Sequence, residues 1–246
     1  MTTIKLTWQI IWLLSLLVIP ASQGAVSQPA PMIALITPVE GSTVVSPIEI
    51  SAEMNLGEAS LLRVALTTGQ NEVISRQLHR VSALDEGLFV YSGSLPFEIP
   101  NENAPGWLSL TLIDSQNRPL CLRSASLIIH ASGDAEVKTN ESQAPWLVIS
   151  SPEPGELISG GEIQVTGQVT PLTGNPVFFE LYSEGGRVLI TIQLAVVQPG
   201  SAMDFTLIIP YTVTSEQEDA LLAISQSADA YNQAIILDSL PLSISP

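Results

Sequence analysis

The chain has 246 residues, a formal net charge of −16, and 46% hydrophobic against only 13% charged residues. That length suits two domains of roughly 100 residues each, and the negative balance repels phosphate backbones and anionic headgroups, which excludes nucleic acid as a partner. A salt-adapted surface is excluded as well, because it needs far denser charge. From Pro145 onward eleven acidic residues stand against one basic residue, Arg187, an excess that keeps apolar-cored domains soluble and apart.

In chain order, Lys5 and the α-amine open a short positive region, followed by an apolar run over 8–19 broken only by Gln9 and Ser15. Pro20 and small residues over 21–25 come next, the layout of a secretory signal peptide over 1–24, cleaved near Gly24 or Ala25. The run is shorter than the roughly 20 residues that a membrane span needs. Export with no membrane insertion after cleavage is the expectation, to the cell surface or beyond, with an uncleaved N-terminal anchor as the alternative. No cysteine lies near the cleavage site, so no lipid anchor is expected there, and none at the C-terminus, where Pro246 follows the last strand. Residues 25–31 read as a Pro-stiffened leader.

Seven short β-like runs separated by turn residues then fill a first domain over 32–130: 32–37, 48–54, 61–67, 73–78, 88–95, 107–114 and 120–130. The hairpin turn at Thr68-Gly69-Gln70-Asn71 is assigned to Gly69, and Pro96, Pro100 and Pro105 are read as one loop crossing between sheets. A polar linker over 131–144 follows, without apolar periodicity; its Asn140-Glu141-Ser142 matches an N-glycosylation pattern that matters only in a eukaryotic secretory pathway. The second domain, over 145–246, repeats the seven runs at 146–150, 163–170, 177–183, 188–197, 203–210, 221–227 and 234–244. Only 215–225 has any helical look, and it reads as loop plus strand.

The two halves share a register about 115 residues apart. Ile48-Glu49-Ile50-Ser51-Ala52 is answered by Ile163-Gln164-Val165-Thr166-Gly167, Leu66 by Leu181 and Val73 by Val188. A repeat of this period is a whole domain. Seven alternating strands per copy point to an all-β fold of two tandem immunoglobulin-like β-sandwiches, without the Cys…Trp…Cys pattern of antibody domains.

Ser151-Pro152-Glu153-Pro154-Gly155-Glu156-Leu157-Ile158-Ser159, followed by Ile163-Gln164-Val165-Thr166-Gly167, resembles the opening of the Gmad2 domain. That is the immunoglobulin-like module of bacterial spore-germination and related envelope proteins. Phe179-Glu180, Gly186 and the 205–211 segment fit the same pattern; Thr37-Pro38-Val39-Glu40-Gly41 and Ser46-Pro47-Ile48-Glu49-Ile50 give a fainter version in the first copy. Gly160-Gly161 departs from it, standing where the family tends to have a Ser-Pro pair. The resemblance implies a fold and an extracytoplasmic setting; it brings no catalytic residues.

Nothing local argues for chemistry. His79 and His130 are the only histidines and lack a second ligand at zinc spacing. Cys121, the single cysteine, sits in Leu120-Cys121-Leu122 as a small buried hydrophobe. Glu216, Glu218 and Asp219, with Asp229, could hold calcium but lack the spacing of a dedicated loop, so a solvated acidic loop is the reading. No catalytic residue, metal site or cofactor is expected. Trp107, Trp146, Tyr211 and Tyr231 are the aromatics weighed as ligand-binding residues. Alternation puts Trp107 in the core, Trp146 suits the interdomain joint, and the two tyrosines suit loops. The leading expectation is a non-catalytic module for protein contact, adhesion or spacing, its partner another extracytoplasmic protein or an envelope component. Carbohydrate or cell-wall binding is the alternative, and an enzyme with an unrecognised site comes last.

Overall fold

The computed structural model describes residues 30–82, 88–99, 103–140, 145–228 and 233–246. The signal peptide and most of the leader lie outside the described residues, as do Pro100, Asp229 and Tyr231. Sixteen strands are described: β1 (Met32–Thr37), β2 (Ser42–Val44), β3 (Ile48–Asn55), β4 (Leu61–Thr68), β5 (Val73–Arg80), β6 (Phe89–Leu95), β7 (Asn103–Ile113), β8 (Pro119–His130), β9 (Leu147–Ser151), β10 (Leu157–Ile158), β11 (Glu162–Val169), β12 (Val177–Tyr182), β13 (Val188–Leu194), β14 (Met203–Pro210), β15 (Glu218–Ser227) and β16 (Ala234–Ile244).

Each copy is a sandwich of two sheets. In the first, β1-β3-β6 lies over β5-β4-β7-β8, and in the second β9-β11-β14 lies over β13-β12-β15-β16. Period-two alternation produces the layers: β3 buries Ile48, Ile50, Ala52 and Met54 while Glu49 and Glu53 face water. The first core closes around Met54, Leu62, Leu66, Leu108 and Leu110, all at 0% exposure, and each such side chain contributes roughly 1.5–3 kcal/mol by its burial. The second gathers Ile163, Phe179, Leu181 and Ile209, with Phe179 meeting Phe205 edge-to-face at 5.2 Å between ring centroids.

The repeat is visible in the irregularities as well as the strands. The β4–β5 ladder shifts register between Leu66 and Thr67, where Thr67 pairs with Val73; the β12–β13 ladder shifts between Leu181 and Tyr182, where Tyr182 pairs with Val188. In the two hairpin turns the left-handed residue is Asn71 (φ 67°) and, 115 positions on, Gly186 (φ 76°), so Asn71 and not Gly69 makes the first turn. Thr37-Pro38 and Ser151-Pro152, residues that carry the family resemblance, are both cis peptides at the ends of β1 and β9.

Several expectations need correction. All seven runs read in each copy are strands, and among the described residues each sandwich adds a short eighth, β2 or β10, that pairs in parallel with the last strand of its own copy; runs of three and two residues leave no periodic signal. Pro105 lies inside β7, opposite Ile128. It is tolerated there because β4 ends opposite Gly106, so the missing Pro105 donor faces no strand. The linker is anchored as far as Asn140: Thr43 and Glu136 exchange backbone hydrogen bonds at 2.9 Å, Val39 N–H donates to the Lys138 carbonyl, and Asn140 N–H to that of Ile36. Among the described residues no helix is long and apolar enough to cross a membrane.

Candidate functional site: the seam and groove between the sandwiches

The last strand of one copy pairs with the last strand of the other. Arg123, Leu122 and Cys121 of β8 lie antiparallel to Ile236, Leu237 and Asp238 of β16, fusing the two four-stranded layers into one continuous sheet. The register has a consequence for symmetry. Leu237 is Leu122 shifted by the repeat, so the central pair is a residue facing its own counterpart. The copies are therefore related by a pseudo-two-fold axis through Leu122 and Leu237, as in an isologous dimer. These two leucines and Ala223 form a small apolar cluster of their own.

Flanking contacts obey the same symmetry. Arg118, buried in the first copy, is held by Asp114 through Nε at 2.7 Å and donates through Nη1 to the Ser183 carbonyl of the second. Its counterpart in the second copy, Gln233, donates through Nε2 to Thr67 Oγ1 of the first at 3.0 Å. Ser124 Oγ adds a bond to the Ile235 carbonyl at 2.9 Å.

The centre is where the copies differ. Arg123 and Asp238 occupy equivalent positions with opposite charge, and Arg123 Nη2 approaches Asp238 Oδ1 to 2.8 Å. Arg123 Nη1 donates to the Leu122 and Leu237 carbonyls at 2.8 and 3.0 Å. Asp238 also accepts from Trp146 Nε1 at 2.5 Å and from Cys121 Sγ at 3.3 Å. Burial pushes the Cys121 thiol up, and the Asp238 carboxylate reinforces that shift while Arg123 opposes it. The thiol is thus held protonated and inert.

Beside this ion pair opens an apolar groove of about 890 Å³. Its walls are β1 and β9, each the edge strand of its own three-stranded sheet, and its floor is the β8–β16 seam. Ile33, Leu35, Trp146, Leu147 and Ile149 line it, and the exposed carboxylates of Glu40 and Glu153 stand at its mouth.

Of the aromatics singled out from sequence, Trp146 sits at the joint as expected, but it is 5% exposed and offers no open sugar platform. Trp107 is half-buried and packs against the core of the second copy, so it too serves the joint, although alternation placed it in its own core. Tyr211 is a correction: it is buried, and its hydroxyl donates to the Ile158 and Ser245 carbonyls at 3.0 and 2.8 Å, tying the second copy together. Tyr231 lies outside the described residues. His79 meets the Tyr91 hydroxyl at 3.2 Å, and His130 ends β8. Among the described residues no three His, Cys, Asp or Glu side chains gather in a way that could hold a metal.

Arg123 and Asp238 were missed from sequence, because a lone arginine and a lone aspartate 115 positions apart form no local pattern. Laying one copy on the other exposes them as equivalent positions with reversed charge.

No protein-family model matches the chain, and no curated protein matches it. Solved structures match it only distantly. Red sea bream transglutaminase has 12% identity and a TM-score of 0.30, with 87% of this chain and 31% of that one covered. A chimeric titin Z1Z2 tandem has 10% identity and a TM-score of 0.25, covering 87% and 98%. The Salmonella enterica SafA pilin in complex with the SafB chaperone has 10% identity and a TM-score of 0.27, covering 89% and 99%. The chain spans under a third of the transglutaminase and 24% of dimeric latent PorU from Porphyromonas gingivalis. Identity and superposition this low say nothing of function. The strand order itself defines two tandem immunoglobulin-like sandwiches.

Proposed function

We propose that this protein is a non-catalytic, exported module of the cell envelope whose paired immunoglobulin-like sandwiches act in protein contact, adhesion or spacing. The observation that carries this reading is the joint, where the seam holds both copies in one relation and leaves an open apolar groove between them. Domain junctions of this kind are common places for binding. Kinship with Gmad2 modules and cleavage of residues 1–24 belong to the same proposal, and the partner is another extracytoplasmic protein or an envelope component. The non-catalytic reading draws support from the groups chemistry would use: Cys121 is buried and protonated, His79 is engaged by Tyr91, and the Asp238 carboxylate is committed to Arg123 and Trp146. The carbohydrate alternative loses Trp146 and Tyr211 as platforms.

The test is binding of labelled protein to isolated cell envelopes before and after protease treatment, with soluble glycans as competitors. Protein contact predicts that proteolysis of the envelopes abolishes binding and that glycans leave it unchanged. Binding that survives proteolysis and is displaced by a glycan would replace this reading with the carbohydrate one.

A further inference from the structure

We infer that the groove between β1 and β9 accepts an extended segment of a partner protein as an added strand, one whose apolar side chains alternate and whose ends carry Lys or Arg. The inference rests on the protein-contact reading and says where and how the contact is made.

The first observation is an interrupted layer. One side of the molecule runs unbroken across both copies through β8 and β16, whereas the opposite layer stops at β1 and resumes at β9. Both facing strands are edges, and edge strands offer backbone N–H and C=O groups that an incoming strand can use; on β1 the Ile36 carbonyl is already taken by Asn140 N–H, which leaves the stretch up to Leu35. Prolines bracket them, Pro31 and Pro38 around β1 and Pro145 and Pro152 around β9, which limits the ladder available to a partner.

The second observation is size. The groove, at about 890 Å³, has room for a strand segment of several residues, and its walls β1 and β9 are six and five residues long.

The third is chemistry. The walls are apolar, Arg123 on the floor is matched by Asp238, and the charges left at the mouth are those of Glu40 and Glu153, in a chain of formal charge −16. Apolar side chains pointing to the floor with basic residues at the ends complement that arrangement. Because the pseudo-two-fold axis reverses β9 relative to β1, the added strand is antiparallel to one wall and parallel to the other.

The experiment titrates ¹⁵N-labelled purified protein with five capped heptapeptides Lys-X-Thr-X-Ser-X-Lys, where X is Val, Ile, Leu, Phe or Ala, and separately with decanoate. Saturable amide shifts confined to Ile33, Leu35, Leu147 and Ile149 are expected from at least one peptide, with amide exchange there slowed tenfold or more. The exposed double variant Glu40→Lys/Glu153→Lys should weaken that binding at least tenfold. Shifts along β5 or β13 instead, or none from any peptide, overturn the inference, and so does displacement of the peptide by decanoate, which would mark an acyl-chain site. Protease-sensitive envelope binding that persists while no peptide enters the groove sinks this inference alone; loss of both sinks the module reading too.

Discussion

Replacing Asp238 by alanine removes one carboxylate from three dependants at once. Arg123 loses its counter-ion, and the Trp146 N–H and the Cys121 thiol lose their acceptor. Removing one partner of a fully buried pair costs about 3–5 kcal/mol, and an orphaned buried N–H costs about 1–3 kcal/mol. Here the Arg123 and Asp238 side chains keep 14% and 24% of their exposure, so water recovers part of the loss. The expected total is about 3 kcal/mol, a fall in Tm of roughly 6–12 °C for a chain of this size. Urea denaturation followed by tryptophan fluorescence and far-UV circular dichroism on the same samples measures it. A second variant uses the pseudo-symmetry: in Arg123→Asp/Asp238→Arg the new arginine lies as close to the Leu122 and Leu237 carbonyls as the old one did. The double variant should be more stable than Asp238→Arg alone, yet short of the parent, because the Trp146 N–H then faces a cation. The reasoning fails if Asp238→Ala stays within about 0.5 kcal/mol of the parent, or if the exchanged pair is no better than Asp238→Arg.

Three further outcomes follow from the geometry. Gly167→Val should destabilise by about 3 kcal/mol or more, since a Cβ there collides with the Val148 carbonyl oxygen at the β9–β11 register shift, whereas the equivalent Ala52 already carries one; thermal unfolding reads this. Trp107→Ala, half-buried in the first copy, should lower the stability of the second by about 2 kcal/mol, visible as faster amide exchange at Phe179 and Ile224. Burial, with the nearby Glu180 carboxylate, pushes the Tyr182 hydroxyl up to about 12. The unfolded chain ionises first, near pH 10, so the stabilisation from Tyr182 is complete below pH 10 and lost as pH rises toward 12. Denaturation midpoints against pH should fall through that window, less steeply in Tyr182→Phe.

Much of the fold was readable because it is written in periods. Alternation along 48–54 and 163–170 marks strands that bury one face, and the 115-residue repeat places the same strands twice. What escaped depends on distance or brevity. The short β2 and β10 are fixed by pairing with β8 and β16, which no local pattern reports. Tyr211 looked like a loop aromatic because its two carbonyl acceptors come from residues 53 and 34 positions away. The seam is the clearest case: antiparallel pairing between the last strands of two copies is a tertiary choice, and each strand would look the same at a free edge.

That choice also bears on function. For the proposed protein-contact role, a flexible tether would let each sandwich bind alone, whereas the seam fixes both sides of the groove in advance, so less ordering entropy would be lost on binding. Residual dipolar couplings from amides in both copies, measured in one alignment medium, test the seam most directly. A single alignment tensor fitting residues 32–130 and 145–246 together is the predicted result. Two tensors of different magnitude and orientation would show the copies moving independently, and the seam, with the groove it creates, would have to be abandoned.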